Sequence, residues 1–464
     1  MKISTLFLIA FSKIMDQRPI IAAGSVLLLL ALSVFAEEER KTNVVLIMSD
    51  DTGYEVFGCY GSRQYKTPHI DKLAQTGMRF NHCYSQPLCT PSRVKIMTGI
   101  SNAHNYQCFD YLDKNERTFG HMMKDAGYAT CIAGKWQLYG LEKHEIKGTL
   151  PEDAGFDEHC LWQVDTKKSR YWKPTLRING ERKTFLGEDD FGPNICTDFI
   201  CDFIGRNKDG PFFVYYPMTL THGPIIATPE SADRNSESKQ ENFEDMVAYM
   251  DTLVGRIAAK LDEAGIRDNT LILFTGDNGT TPGIKSELNG TIVPGGKGKT
   301  TDAGTRVALI ANMPGTVPAG KVTDDLVDFS DMMPTIAGMT GAELPEGVKL
   351  DGVSFAPQLR GQEGTPRQWI YCYHEARPGP VPSPKIFARN HRWKLYNNGQ
   401  LFDVGRDVLE KNPVPRNDEI RKELQKVIDS FPNEGKMIRR PEDNAGTSAT
   451  KKGEKIRLKR EKKK

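Results

Sequence analysis

The sequence predicts an α/β fold built on a mainly parallel sheet, followed by a smaller antiparallel unit with a helix. Three observations point there. Short apolar, β-branched runs alternate with amphipathic stretches up to about Gly361, the pattern of strands linked by crossover helices. Two of those runs stop abruptly in oxygen-bearing side chains. Beyond Gly361 the texture changes to brief alternating segments separated by turn residues.

Taken in order, "TNVVLIMSDD" is a buried strand ending in Asp50 and Asp51, and its unbroken apolar character suits a parallel sheet covered on both faces. "TPHIDKLAQTGMRF" predicts a helix starting near Thr67 and Pro68, with Gly77 past its end. "RTFGHMMKDAGYATCIAGKWQ" reads as helix, glycine stop and strand, and "PFFVYYPMTL" as a further buried strand. "ENFEDMVAYMDTLVGRIAAKLDEAG" places apolar residues three and four apart and stops at Gly265, a long amphipathic helix. It feeds "NTLILFTGDNG", a second strand with oxygen-bearing side chains, Asp277 and Asn278, at its end. After Gly361, "RQWIYCYHEA", "KIFARNHRWKLYNNG" and "QLFDV" read as antiparallel strands, and "NDEIRKELQKVIDSF" as a helix packed on them.

The 464 residues, 38% hydrophobic and 26% charged, suffice for one large domain and a smaller one. The net charge of +2 singles out no polyanionic partner, and nucleic acid is not expected. "PIIAAGSVLLLLALSVFA", preceded by Lys13 and Arg18 and ending at Val34 and Ala36, has the form of a signal peptide cut after Ala36. Met15 is an alternative start, and an uncleaved anchor is the alternative reading of the run. No second run is long enough to span a membrane, so a periplasmic or secreted protein is expected. The expected organisation is a signal peptide over 1–36, a catalytic domain over 37–361, a C-terminal α+β subdomain over 362–435 and a basic disordered tail over 436–464. The nine cysteines are scattered without the spacing of a small disulfide framework, and the odd one is read as Cys89.

Sites in open α/β sheets form at the carboxyl ends of strands. Asp50, Asp51, Asp277 and Asn278 offer oxygen ligands from two such ends, a set that suits calcium or magnesium. Neither cluster contains a histidine or cysteine in sequence, which argues against zinc. Taken singly, Arg93, Lys135, His222 and Lys297 have structural readings, since most lysines are surface residues and most lone histidines structural. Together beside a metal they make a pocket for a tetrahedral oxyanion.

"CTPSRVKIMTG" resembles the sulfatase signature Cys-x-Pro-Ser-Arg followed by Thr-Gly, and "GYATCIAGKWQL" is similar to that family's second motif. "SDD", "THGP", "FTGDNG" and "GGKGKTTDAGTR" follow in the family's order, so the resemblance covers about Asn43 to Val404. It implies an alkaline-phosphatase-like sandwich and a sulfuric ester hydrolase. It further implies that a maturase oxidises Cys89 to formylglycine while the chain is unfolded. One hydroxyl of the aldehyde hydrate then attacks sulfur, and the other expels sulfate after losing its proton. Asp50, Asp51, Asp277 and Asn278 would hold one calcium ion. Arg93 would steady the hydrate, Lys135 and Lys297 would bind sulfate oxygens, and Lys297 or His222 would serve the leaving oxygen.

One position departs from the family pattern. Two residues after the lysine of "GKW" the family carries a histidine, a candidate base for sulfate release, and this chain has Gln137. Glutamine forms hydrogen bonds but takes no proton at neutral pH. Gln137 is therefore expected as a substrate contact, with His104 a nearby substitute base to be placed. The rivals are a phosphodiesterase or phosphonate monoester hydrolase on the same scaffold, and a sulfated-glycan binder impaired in turnover. Asn278 stands where two-metal relatives carry a histidine, which disfavours the first. The intact pentapeptide counts against the second. The substrate class expected is a sulfated small molecule or carbohydrate.

Overall fold

The computed structural model describes residues 40–375, 383–415, 417–432 and 437–438. The signal-peptide segment, and all of the basic tail except 437–438, lie outside them. Ten strands form the main sheet: β1 (Asn43–Ser49), β2 (Met78–Tyr84), β3 (Ala129–Lys135), β4 (Glu158–Trp162), β5 (Thr175–Ile178), β6 (Glu181–Thr184), β7 (Phe212–Pro217), β8 (Thr270–Gly276), then, after a hairpin of β9 (Lys285–Leu288) and β10 (Thr291–Pro294), β11 (Arg306–Asn312) and β12 (Lys321–Asp328). Their order is β12-β2-β11-β8-β1-β7-β3-β4-β5-β6. The central run β8-β1-β7-β3-β4 is parallel throughout.

Alternation along each central strand builds two cores. Val44, Leu46 and Met48 face one layer, and Val45 and Ile47 the other; Leu271 and Leu273 divide from Ile272 and Phe274 in the same way. The helices that cover these faces are α1 (Pro68–Gln75), α2 (Cys89–Thr98), α3 (Phe119–Asp125), α4 (Gly192–Asn207), α5 (Lys239–Glu263) and α6 (Met332–Thr340). The first core takes residues of α2, α3 and α6, and the second takes residues of α1, α4 and α5. The helix expected in "TPHIDKLAQTGMRF" ends at Gln75, and Met78 to Tyr84 become β2. Gly77 breaks the helix, and buried Met78 and Phe80 then alternate with half-buried Arg79 and Asn81, a strand period.

The antiparallel unit has strands β13 (Ile370–His374), β14 (Lys385–Arg389), β15 (Trp393–Tyr396) and β16 (Leu401–Asp403), in that order. Helix α7 (Asp418–Asp429) packs Leu424 and Ile428 against Tyr371, Ile386 and Leu395. This unit grips the loop before β11. Arg389 pairs with Asp302 at 2.6 Å, Tyr396 donates its hydroxyl to the Thr300 carbonyl at 3.3 Å, and Lys394 donates to the same carbonyl.

Leu46 lies in the middle of β1, fully buried between paired neighbours on both sides. Leu46→Ala is expected to lower unfolding free energy by about 2–5 kcal/mol in denaturant titration. Leu186→Ala, at a side chain 74% exposed, should change it by less than about 0.5 kcal/mol.

Candidate active site

Strand pairing brings the two oxygen clusters together. Ser49 and Gly276 are partners at the ends of β1 and β8, so Asp50 and Asp51 emerge beside Asp277 and Asn278. The Asp51 amide donates to Asp277 Oδ1 at 3.0 Å, and Asn278 Nδ2 donates to Asp51 Oδ1 at 2.9 Å. All four residues are buried. Asp51 has φ +62°, a left-handed conformation that aspartate adopts more readily than most residues.

Lys135 is the last residue of β3, one strand beyond β7. Gly134 makes that position reachable: its φ is +119°, and a Cβ there would lie 2.0 Å from the Pro217 carbonyl oxygen at the end of β7. Lys135 Nζ donates to Asp50 Oδ2 at 2.6 Å, with both side chains out of solvent. His222 follows β7. That segment is tied to β1 by Asp50 N to Leu220 O at 2.8 Å and Thr221 N to Asp50 O at 2.7 Å. Lys297 comes from the loop after β10, and its ammonium donates to Asp51 Oδ2 at 2.7 Å.

Cys89 opens α2. The helix starts from extended Leu88 and stops at Gly99, with φ +69°. Pro91 is tolerated because it lies in the first turn. Ser92 stiffens the entry by accepting from Gln86 N at 3.0 Å and donating to Leu88 O at 3.0 Å. The Cys-x-x-x-Arg spacing is one helical turn, which sets Cys89 and Arg93 on one face. Arg93 donates to Asp277 Oδ2 at 3.2 Å and to the Lys135 carbonyl at 3.0 Å, and it stands 3.6 Å from Asp50 Oδ2.

The charges act on one another. Burial alone would raise Asp50, but Lys135, His222, Arg93 and Lys297 hold it well below the carboxylate range. Burial first, and then the Asp50 charge, push Asp277 up to about 8. Burial lowers His222 to about 4, with Lys135 adding to the effect, so its imidazole is neutral at pH 7. Burial also raises the Cys89 thiol, against the pull of Lys135 and Lys297, so an unmodified thiol here is protonated and a weak nucleophile.

The oxygen set fits a hard cation. Asp50 Oδ1 and Asn278 Oδ1 are buried without a hydrogen-bond partner, a costly state that a bound ion relieves. Ligand atoms of Asp50, Asp51 and His222 lie within 4.8 Å of one another. The fold thus brings to the carboxylates a histidine that sequence order keeps apart from them. Its Nε2 is 3.9 Å from Asp51 Oδ2, while Arg170 donates to its Nδ1 at 2.8 Å.

Gln137 is buried with φ +59°, and its Oε1 has no hydrogen-bond partner. Its backbone N–H donates to Gln163 O at 3.0 Å; Gln163 Nε2 donates to Asp110 Oδ1 at 3.2 Å, and the Asp110 backbone N–H to Thr90 Oγ1 at 3.2 Å. A hydrogen-bonded path therefore runs from Gln137 to the residue after Cys89. His104 contacts Asp351 at 2.9 Å and stacks on Phe431, which engages it away from this path. Sequence reasoning missed Arg170, which sits in "KKSRYW" with no motif around it. A groove lined by His69, Lys72, Asp262 and Arg267 contains none of these groups.

Residues 42–342 match the family model described as Sulfatase. The chain is 30% identical to Arylsulfatase A of Homo sapiens over 390 residues, 75% of this chain and 73% of that protein. It is 30% identical to the N-acetylgalactosamine-6-sulfatase of Canis lupus familiaris over 422 residues, 84% of this chain and 80% of that one. The solved structure of Ps i-CgsB in complex with k-i-k-neocarrahexaose shares the fold, with TM-score 0.70 at 24% identity over 85% of this chain and 95% of that chain. The strand-end cluster and these similarities converge: the chain belongs to the sulfatase family, as a type I sulfatase of the alkaline phosphatase superfamily, and is a sulfuric ester hydrolase.

Proposed function

We propose that this hydrolase is an exported, calcium-dependent enzyme that removes sulfate from carbohydrates, using formylglycine made from Cys89. One observation carries the reading: Cys89 begins a buried helix whose next turn places Arg93 against the carboxylates of two strand ends. All ten residues of α2 are buried, so an enzyme that modifies Cys89 must reach it before folding. That agrees with a maturase reading the unfolded pentapeptide.

Asp50, Asp51, Asp277 and Asn278 would hold the calcium ion, whose part is to stabilise negative charge on sulfate oxygen and on the nucleophile. The chain's own groups do the rest. Arg93 fixes the nucleophile's position from one helical turn away. Lys135 and Lys297, now bonded to Asp50 and Asp51, are the donors an incoming sulfate meets, and their fixed charge offsets what develops as the ester bond breaks. His222 is neutral at pH 7, so it offers a hydrogen bond. The charged N–H nearest the leaving oxygen is assigned to Lys297: burial opposes its charge, but the acids beside it, Asp51 first, outweigh burial and keep the ammonium protonated. A sulfated carbohydrate is favoured because named relatives include an N-acetylgalactosamine-6-sulfatase and a fold neighbour holds k-i-k-neocarrahexaose. Export rests on the N-terminal apolar run; among the described residues no helix is long and apolar enough to cross a membrane.

Mass spectrometry of protein made with a maturase should show an aldehyde or its hydrate at Cys89. Cys89→Ala should fold normally and release no sulfate from a panel of sulfated sugars. Retention of most activity by that variant would refute the formylglycine route.

Gln137 yields a second prediction. A general base is typically worth ~10²–10⁴ in rate, and Gln137 supplies none. Slow release should leave a sulfated enzyme that mass spectrometry traps. Gln137→His should then speed release and reduce the trapped species. Lost activity with no intermediate in either protein would instead make Gln137 a specificity residue.

A further inference from the structure

Four arginines are buried among the described residues: Arg93, Arg170, Arg367 and Arg389. Three of them face an aspartate, Arg93 with Asp277 at 3.2 Å, Arg367 with Asp331 at 2.9 Å and Arg389 with Asp302 at 2.6 Å. Arg170 does not. It donates to two neutral acceptors, His222 Nδ1 at 2.8 Å and the Gly223 carbonyl at 2.5 Å. Its guanidinium lies 4.0 Å from the centroid of the Trp162 ring. Stacking and two hydrogen bonds therefore hold rigid a buried cation that, among the described residues, has no acid at ion-pair distance, and such a group is costly unless something anionic completes it. A guanidinium carries five N–H donors in a fixed fork, so Arg170 keeps donors in a geometry that suits a carboxylate or sulfate.

We propose that Arg170 and Lys167 form a second oxyanion subsite beside the reaction centre, so that the preferred substrate carries a carboxylate or another sulfate next to the scissile sulfate ester. The proposal rests on the sulfatase reading above and names the substrate class of that site.

Lys167 lies three residues before Arg170, exposed, and among the described residues no acid is within ion-pair distance of it. Although solvent reaches it, partial desolvation and then the Arg170 and Lys135 charges lower its pKa. Asp110 is the acid whose field opposes them, and Gln163 already bonds it. Asp165, also on this loop, is taken by Arg182 at 2.8 Å. The loop is pinned in place: Trp162 Nε1 donates to Lys168 O at 2.7 Å and Thr175 N to Ser169 O at 2.9 Å. The anion read here is distinct from the scissile sulfate. His222 stands between the two, its Nε2 towards Asp51 and its Nδ1 towards Arg170.

The test uses matured full-length enzyme and pairs of sulfated disaccharides. One pair differs only by a uronate against a neutral sugar beside the sulfated residue, and the other only by a second sulfate. A chromogenic aryl sulfate is the reference ester. Wild type should favour the doubly charged member by about tenfold or more in kcat/KM, mainly through KM, the worth of one charged hydrogen bond. The pair with the larger ratio tells carboxylate from sulfate. Lys167→Ala should shrink that ratio, Lys167→Glu should abolish or invert it, and added salt should narrow it in wild type. A wild-type ratio near one, or a ratio that Lys167→Glu leaves unchanged, overturns the subsite while sulfate release from the aryl ester upholds the sulfatase reading. No sulfate release from any ester, the aryl sulfate included, overturns both.

Discussion

Everything in the site depends on burying like charges together. Asp50, Asp51 and Asp277 are removed from water at the ends of two adjacent strands. Three carboxylates so placed would repel one another severely without compensation. Arg93, Lys135 and Lys297 provide three permanent positive charges, each from a different element: a helix, a strand end and a loop. With all three carboxylates ionised, these opposing charges balance. The divalent ion proposed above would then leave the pocket with an excess of positive charge, the complement of a sulfate dianion. A site built this way attracts its product's charge without any excess of basic residues in the chain as a whole, which is why the overall charge of +2 reveals nothing.

The scaffold is arranged to hold that balance. The parallel order β8-β1-β7-β3 puts the ends carrying Asp277, Asp50, His222 and Lys135 side by side. Gly134 lets β3 close against β7, and the backbone bonds between Asp50 and residues 220–221 fix the segment that carries His222. Lys297 lies on a loop, which by itself would be the least constrained of the cations. The antiparallel unit restrains it through Arg389, Lys394 and Tyr396, which bind Asp302 and the Thr300 carbonyl. The smaller sheet therefore contributes to the site without supplying a group to its centre.

Much of this was legible in the sequence. β1 and β8 were visible because continuous apolar runs ended in acids, and α5 because its apolar spacing was unmistakable. Asp50, Asp51, Asp277 and Asn278 were read from those strand ends, and motif order drew the cations to them. Helix α2 was not legible as a helix: all ten residues are buried, so it has no polar face to give a period. Cys89 and Arg93 were found by motif, whereas their common face needed the helix. His222 was read into the pocket from its place after β7, but its approach to Asp51, 171 positions away along the chain, needed the fold. Arg170 was invisible for a different reason. Its meaning lies in lacking an acidic partner, and that is a property of three-dimensional neighbours.

The central claim is that three buried carboxylates and Asn278 bind one hard divalent ion. Elemental analysis of the purified, active enzyme, with calcium titrated back into chelator-treated protein, tests it most directly. The account predicts one calcium per chain, loss of sulfate release and of thermal stability on chelation, and recovery of both by calcium in preference to zinc. Stoichiometric zinc in the active enzyme, or full activity and stability with no divalent ion bound, would contradict it.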